Sequence, residues 1–223
     1  MSRARAVVAS YVGVVAFAVP LFLAAGRVDY PQGLTYLAVA LIGTTLVHLL
    51  EPPGSGRAAE RARGAAGGEA WDKRLLVAHA LTSLVMFVVA GLDSGRYFWT
   101  GPVPRALGVA GIVLMLTGQG LFAWARRVNV HFAASVRIEA EGHAVCERGP
   151  YAIVRHPGYL GLLLSQLAFP LILGSRWAAV PAMVGAVILA RRTVREDGLL
   201  VAQVPGYAAY AARTRARLVP GMF

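Results

Sequence analysis

Long apolar stretches recur along this chain, and they constrain its fold more than any other feature. A helix that crosses the hydrocarbon core of a bilayer needs about 20 mainly apolar residues. Four stretches approach that length and two shorter ones follow, at 6–25, 34–50, 75–92, 103–125, 158–173 and 177–190. Gly174-Ser175-Arg176 separates the last two and predicts the tip of a helical hairpin. We therefore expect an all-α, polytopic integral membrane bundle of about five to six transmembrane segments.

The composition agrees with a membrane protein, because 57% of the residues are hydrophobic and only 15% are charged. The first apolar stretch follows Arg3 and Arg5 and contains the small-residue pattern Ala16-Phe17-Ala18, as a cleaved secretory signal would. The apolar run nevertheless continues to Ala25, which favours an uncleaved anchor.

The basic residues predict the orientation in the membrane, because Lys and Arg concentrate in cytoplasmic loops. With the N-terminus inside, 18 of the 22 basic residues are cytoplasmic: two near the N-terminus, five in 51–74, five in 126–157 and six in 191–223. The opposite side keeps four, Arg27, Arg96, Arg105 and Arg176. We expect both termini to be cytoplasmic. Contact with anionic headgroups accounts for the net charge of +11, and no nucleic-acid partner is predicted.

The cysteine and histidine content predicts no metal site. Cys146 is the only cysteine, which excludes an intrachain disulfide and a multi-cysteine site, and we interpret it as structural rather than nucleophilic. His48 and His79 lie in apolar helices and are interpreted as packed, neutral side chains.

Two polar regions divide the chain. Residues 51–74, rich in Pro, Gly, Ala and charge, predict a flexible cytoplasmic loop. Residues 126–157 carry many titratable groups beside a membrane helix, which indicates a site. Together with the polar helix predicted at 190–217, they would cap the hairpin on the cytoplasmic side. We therefore divide the chain into N-terminal transmembrane helices, 1–125, and a C-terminal region that contains the helical hairpin, 126–223.

A first motif lies immediately before the hairpin. Gly149-Pro150-Tyr151 marks a turn, and Pro157 suits the first turn of a helix, where its missing N–H would be unpaired anyway. Arg155, His156 and Tyr159 would converge near that helix N-terminus, a position that favours anionic groups. The motif predicts a pocket for a polar small molecule at the membrane surface.

A second motif closes the hairpin. Arg192 and Glu196 are four residues apart and share one helical face. Glu196 and Asp197 follow an apolar span, where carboxylates are unfavourable unless they are paired or functional. This acidic pair is predicted to face the basic loop and to hold a cationic ligand.

The ordered motifs resemble the superfamily of isoprenylcysteine carboxyl methyltransferases and phospholipid methyltransferases. Gly-Pro-Tyr, Arg-His-Pro-x-Tyr-Leu-Gly, a short hairpin, Arg-x-x-x-Glu-Asp and Gly206-Tyr207 through Gly221 follow one another in that order. The resemblance covers about residues 126–223. One departure is that the superfamily usually has two consecutive glutamates where this chain has Glu196-Asp197.

The resemblance implies an S-adenosylmethionine-dependent methyl transfer. It also implies that 126–223 is a cofactor-binding methyltransferase region, with a C-terminal cofactor pocket that opens to the cytoplasm. The cofactor site it implies comprises His143, Val145, Gly149, Pro150, Tyr151, Arg155, His156, Pro157, Tyr159, Leu160 and Glu196. Glu196 would balance the positive charge of the cofactor, and Arg192 would orient an acceptor carboxylate, so we assign catalytic roles to both. For an amine or thiol acceptor, His131 or Glu196 is the candidate base.

The acceptor and the host are less constrained. We expect a lipophilic small-molecule or prenylated acceptor from the bilayer, and the abundance of Ala, Arg and Gly indicates a bacterial inner (plasma) membrane.

Two alternative functions stay open: an NADPH-dependent reductase with the related architecture of membrane sterol reductases, and a non-enzymatic transporter or assembly protein. A transporter would have to place its polar residues near the bilayer midplane. Nothing in the sequence indicates an oligomeric state.

Overall fold

The structure is a computed structural model that describes residues 3–50, 68–133, 136 and 144–221, and this part of the chain contains helices and no strand. The α-helices are α1 Arg3–Ala25, α2 Pro31–Leu49, α3 Ala70–Ala90, α4 Arg105–Val128, α5 Pro157–Leu173, α6 Ala179–Gln203 and α7 Tyr207–Arg213. A π-helix, Gly91–Tyr97, continues α3, and a short 3-10 helix, Gly149–Ala152, precedes α5. The prediction of an all-α fold is confirmed.

Among the residues that the structure describes, four helices are long and apolar enough to cross a membrane, which confirms the polytopic membrane prediction. They span Val7–Ala25, Pro31–Leu49, Ala70–Tyr97 and Arg105–Val128. Helix α5 is a shorter apolar helix of 17 residues. The sixth predicted segment, 177–190, corresponds to the first half of α6, whose second half carries five charged residues between 191 and 197.

Three boundaries differ from the sequence prediction. The loop predicted at 51–74 ends earlier, because α3 begins at Ala70; residues 51–67 lie outside the described residues. The third apolar stretch is predicted to end at residue 92, but the helical structure continues to Tyr97. The polar helix predicted from residue 190 is the direct continuation of the second hairpin arm to Gln203, after which α7 forms a separate short helix.

Helices α4 and α5 form the most extensive helix pair, and glycines allow their close approach. A Cβ atom on Gly118 would lie 2.5 Å from the carbonyl oxygen of Gly161, and a Cβ atom on Gly161 would lie 2.5 Å from that of Gly118. Small residues let membrane helices bring their backbones together in this way. Gly161 of the Arg-His-Pro-x-Tyr-Leu-Gly motif is therefore a packing residue.

Aromatic side chains fill the centre of the bundle. Tyr36 of α2, Phe87 of α3 and Phe169 of α5 contact one another with ring centroids 5.1 to 5.4 Å apart. They belong to one buried cluster that also includes Leu21 and Met86. This cluster joins α1, α2, α3 and α5.

The hairpin tip is fixed at one end of the bundle. Gly174 ends α5 in the left-handed conformation, with φ of 64°, and Ser175 donates a hydrogen bond to the Pro170 carbonyl. The Ser175 hydroxyl also donates to the buried Asp93 carboxylate of the π-helix at 2.6 Å, and Thr100 donates to the same carboxylate. The first turns of α3 and α5 and the last turns of α4 and α6 therefore meet at the opposite end, where the site lies.

Candidate functional site

A cavity of about 320 Å³ lies at the end of the bundle opposite the hairpin tip. Four helices contribute to its wall through Leu76 of α3, Phe122 of α4, Tyr159 of α5 and Arg192 of α6. The segment before α5 and the two tyrosines of α7 complete it. Its volume is within the range of small-molecule sites, about 300–1,000 Å³.

The lining of the cavity combines polar and apolar side chains. Asn129, His131, Arg155, His156 and Glu196 supply hydrogen-bonding and charged groups. The apolar part consists of Leu76, Phe122, Phe132, Val136 and Leu162, among others. A cavity of this composition can hold a molecule with both a charged and an apolar portion.

The Arg-His-Pro-Gly-Tyr motif, residues 155–159, forms the start of α5 next to the cavity. Pro157 occupies the first turn of α5, where no N–H is needed. A Cβ atom on Gly158 would lie 2.6 Å from the ring of Phe132, so glycine makes room for that ring. Phe132 in turn contacts Phe122 edge to face, with ring centroids 5.3 Å apart. The motif therefore places the start of α5 beside the aromatic part of the cavity wall, which Phe122 and Phe132 form.

Asp197 joins the motif before α5 to the end of the chain. Its Oδ1 accepts hydrogen bonds from His156 Nε2 and the Tyr207 hydroxyl, both at 3.0 Å. Its Oδ2 lies 3.1 Å from Arg155 Nη2 and 3.0 Å from Arg217 Nε. Asp197 is 3% exposed, so these four groups take the place of water around the carboxylate.

The partners of Asp197 determine its charge. Burial raises the pKa of Asp197, but hydrogen bonds from His156 and Arg217 and the nearby positive charges outweigh burial and lower it to about 2. The carboxylate is therefore ionised at neutral pH and only accepts hydrogen bonds. Since it accepts from His156, the Nε2 atom of that ring carries a proton.

Backbone hydrogen bonds tie the C-terminal segment to the same motif. The N–H of Arg155 donates to the Ala216 carbonyl at 2.9 Å, and the N–H of His156 donates to the Arg217 carbonyl at 3.0 Å. Nearby, the Tyr210 hydroxyl donates to the Tyr151 carbonyl at 2.7 Å. Burial raises the pKa of Tyr210 and keeps this donor protonated. The C-terminal segment thus holds the residues before α5 in place.

A second charged group lies on the α6 side of the cavity. The Tyr159 hydroxyl donates a hydrogen bond to Glu196, and the Arg192 guanidinium lies over the Tyr159 ring, 5.0 Å from its centroid. Arg192 also forms a two-point ion pair with the buried Asp72, with Nε 2.6 Å from Oδ1 and Nη2 3.1 Å from Oδ2. Asp72, Arg192, Tyr159 and Glu196 therefore form one continuous chain of contacts.

The structure brings most of the predicted site residues to this cavity. Those that line it are Val145, Tyr151, Arg155, His156, Tyr159, Arg192 and Glu196. Four others, Gly149, Pro150, Pro157 and Leu160, do not line it and belong to the turn and helix start that carry the lining residues. The remaining predicted residue, His143, lies outside the described residues.

Two acidic residues behave differently from the sequence prediction. The acidic pair was expected to hold a ligand, but only Glu196 lines the cavity, because Asp197 is surrounded by protein donors. Asp72 lies in the segment 51–74, for which the sequence predicts a loop, yet it is fully buried and pairs with Arg192. One feature of the sequence does indicate a role for Asp72, because it is a charged residue next to an apolar span.

Residues outside the predicted cofactor site also line the cavity. His131, the candidate base, accepts a hydrogen bond at Nε2 from the Ala144 N–H at 3.4 Å. Cys146 is half-buried there. No group of three or more potential metal ligands occurs among the residues that the structure describes.

Comparison with known proteins finds a family similarity within the C-terminal part of the chain. The model of the isoprenylcysteine carboxyl methyltransferase family matches residues 111–202, from the middle of α4 to the end of α6. The resemblance predicted from the motifs is thereby confirmed for this segment, and with the apolar helices it supports a membrane methyltransferase. The matched segment contains every predicted site residue but excludes Asp72 and the C-terminal segment from Tyr207 onwards. No curated protein matches the chain.

Proposed function

We propose that the chain, whose segment 111–202 matches the isoprenylcysteine carboxyl methyltransferase family, is an S-adenosylmethionine-dependent methyltransferase. The acceptor is a lipophilic or membrane-accessible molecule, and O-methylation of an isoprenylcysteine-like carboxylate is the most similar reaction. The observation that carries the proposal is a cavity lined by both charged motif residues and apolar side chains, at the end of a membrane bundle.

The chemistry of the lining fits the cofactor. S-adenosylmethionine carries a sulfonium, an ammonium and a carboxylate, so its site needs both an anion and a cation. Glu196 supplies the anion. Arg155 supplies the cation, and its Nε atom is buried without a hydrogen-bond partner among the described residues. A buried donor without a partner is unfavourable, so a polar group of a ligand there would be stabilising.

The bound cofactor would supply an electrophilic methyl group, and the protein's own residues would align and shield the reaction. Glu196, held by Tyr159, places a negative charge where positive charge must bind. Arg192 is oriented by Asp72 and would receive the acceptor carboxylate. The apolar lining keeps water away, which strengthens both interactions and favours an aligned donor and acceptor. If the acceptor is an amine or thiol, His131 or Glu196 would take its proton.

The apolar lining also supports a lipophilic acceptor. The apolar part of the cavity wall includes Leu76 of α3, Phe122 of α4 and Leu162 of α5, which come from three apolar helices. A prenyl or similar hydrocarbon chain would be stabilised there by about 0.8 kcal/mol for each buried methylene group.

We further propose a bacterial inner (plasma) membrane, with this cavity and both termini on the cytoplasmic side, because the basic residues concentrate at this end of the bundle.

Calorimetric ligand binding to the detergent-purified protein tests the proposal. S-adenosylmethionine, S-adenosylhomocysteine and NADPH are titrated into the wild type and into the variants His156→Ala and Glu196→Ala. His48→Ala is the matched control, because His48 lies on α2 and does not line the cavity. We expect saturable binding of the two methionine-derived ligands in the wild type and control, and loss of binding in both cavity variants.

The other outcomes separate the alternative functions. Binding of NADPH alone would contradict the methyltransferase and favour the reductase. Binding of none of the three ligands would favour the non-enzymatic alternative.

A further inference from the structure

Asp72 belongs to the N-terminal half of the chain but is bound to residues of the cavity. It lies in the first turn of α3 and is 0% exposed. Its Oδ1 accepts from Arg192 Nε at 2.6 Å, and its Oδ2 accepts from Arg192 Nη2 at 3.1 Å and from the Val136 N–H at 2.9 Å. Asp72 itself does not line the cavity, so a molecule bound there would meet its partners and not its carboxylate.

Both partners of Asp72 are part of the cavity wall. Arg192 lines the cavity from α6, and Val136 lines it from the segment after α4. The Glu69 N–H, just before α3, donates to the Val136 carbonyl at 3.2 Å and adds a second attachment. The first turn of α3 therefore fixes two separate parts of the wall.

The ion pair determines the orientation of Arg192. Arginine has a long side chain with large rotamer entropy, and a two-point pair with a carboxylate restricts its guanidinium to one plane. Here the guanidinium lies over the Tyr159 ring, whose hydroxyl donates to Glu196. A displaced Arg192 would change the environment of Tyr159 and Glu196 as well.

The ion pair also controls the charge beside the cavity. An uncompensated guanidinium in a poorly solvated wall would repel a ligand that carries a positive sulfonium, and low dielectric surroundings would increase this repulsion. Asp72 supplies the compensating negative charge and is too deeply buried for solvent to replace it. Because the charge of Arg192 is compensated, the cavity can contain this hydrogen-bond donor and still bind a positively charged ligand.

We propose that Asp72 is a positioning residue that orients Arg192 and cancels its charge, which allows the cavity to bind a sulfonium ligand. The inference rests on the proposed function and deepens it. It adds a residue outside the segment that matches the family. Asp72 acts through Arg192 and does not touch the reacting atoms.

The test compares a charged ligand with its neutral counterpart. S-adenosylmethionine carries the sulfonium, whereas S-adenosylhomocysteine carries an uncharged thioether and is otherwise nearly the same size. Calorimetry measures both affinities for the wild type, D72N, R192Q and the double variant D72N/R192Q. D29N is the matched control, because it makes the same change in the exposed Arg27–Asp29 pair.

We expect D72N to weaken S-adenosylmethionine binding about tenfold more than S-adenosylhomocysteine binding, the factor expected for two unit charges about 10 Å apart at an effective dielectric constant of about 20. R192Q leaves the Asp72 charge and should shift the affinity ratio in the opposite direction. The double variant removes both charges and should restore the wild-type ratio, and D29N should not change it. If D72N does not fold, R192Q and the double variant still test the charge effect.

Two results would overturn the inference, and they are distinguishable. Equal changes in both affinities would show that Asp72 has only a structural role, while the proposed function would stand. Absence of binding of either ligand to the wild type would overturn the proposed function and this inference with it.

Discussion

His156 and Asp197 are joined by a 3.0 Å hydrogen bond between the motif before α5 and the polar half of α6. The two residues are 41 positions apart in the sequence, and the whole hairpin lies between them. Because Arg155 and Arg217 bind the other oxygen of Asp197, a single carboxylate joins the start of the hairpin, its end and the C-terminal segment. The site therefore depends on Asp197 even though Asp197 does not line the cavity.

Asp197→Asn should destabilise the protein by about 3 kcal/mol, because it leaves the buried Arg155 and the partly exposed Arg217 without their counter-charge. The measurement is the free energy of unfolding in detergent, followed by denaturant or heat. Asp29→Asn is the control, since Asp29 is exposed and its pair with Arg27 should contribute less than about 1 kcal/mol. Equal stabilities of the two variants would contradict the central role of Asp197.

Asp197→Glu tests the one departure of this chain from the usual pair of glutamates. The longer side chain has to fit into a shell that already surrounds Asp197 on all sides, so we expect a loss of about 1–3 kcal/mol in stability from overpacking. We also expect weaker binding of S-adenosylmethionine, because His156 would be displaced. Unfolding and calorimetric titration measure the two effects, and a fully stable variant with wild-type affinity would show that the shell accommodates either acid.

The pH dependence of stability should also report on Asp197. Its pKa in the folded protein is about 2, below the usual value of 3.8, so the unfolded chain binds a proton at higher pH than the folded protein does. The stabilisation is fully present above about pH 5 and is lost as the pH falls towards 2, and its size is about 2 kcal/mol. The stability difference between the wild type and Asp197→Asn should therefore shrink by about that amount between pH 6 and pH 2. A constant difference would contradict the assigned pKa.

The contact between Gly118 and Gly161 predicts opposite effects for two neighbouring substitutions in α4. Gly118→Ala places a methyl group 2.5 Å from the Gly161 carbonyl oxygen and should destabilise the protein by about 1–3 kcal/mol. Gly120→Ala meets no atom within 4 Å and should stabilise α4 by about 0.5–1 kcal/mol, through the higher helix propensity of alanine. Thermal unfolding of both variants measures the difference, and similar melting temperatures would show that α4 and α5 are less closely packed.

The sequence predicted the apolar helices well because their length is a local property. Pro157 and Gly174 also marked the start and end of α5 by local rules for helix ends. The start of α3 was missed because the buried position of Asp72 depends on Arg192, 120 residues later. No local pattern could reveal that pair.

The roles of the acidic pair were also hidden from the sequence. Neighbouring residues on an α-helix point about 100° apart, so Glu196 and Asp197 point in different directions, and only one of them faces the cavity. Which of them does so depends on the rotation of α6, and this rotation is set by packing against the other helices. The structure directs Glu196 into the cavity and Asp197 towards His156 and Tyr207.

Tyr159 offers a test of the contact chain on the α6 side, because its ring and its hydroxyl have separate partners. Tyr159→Phe keeps the ring under Arg192 but removes the donor to Glu196. A hydrogen bond to a charged group contributes about 1.5–3 kcal/mol, so the variant should lower the affinity for S-adenosylmethionine by about tenfold. Tyr159→Leu removes both contacts and should lower it further, whereas Tyr97→Phe, at the opposite end of the bundle, should have no effect. If Tyr159→Phe binds like the wild type while Tyr159→Leu does not, the ring and not the hydrogen bond to Glu196 supports the ligand.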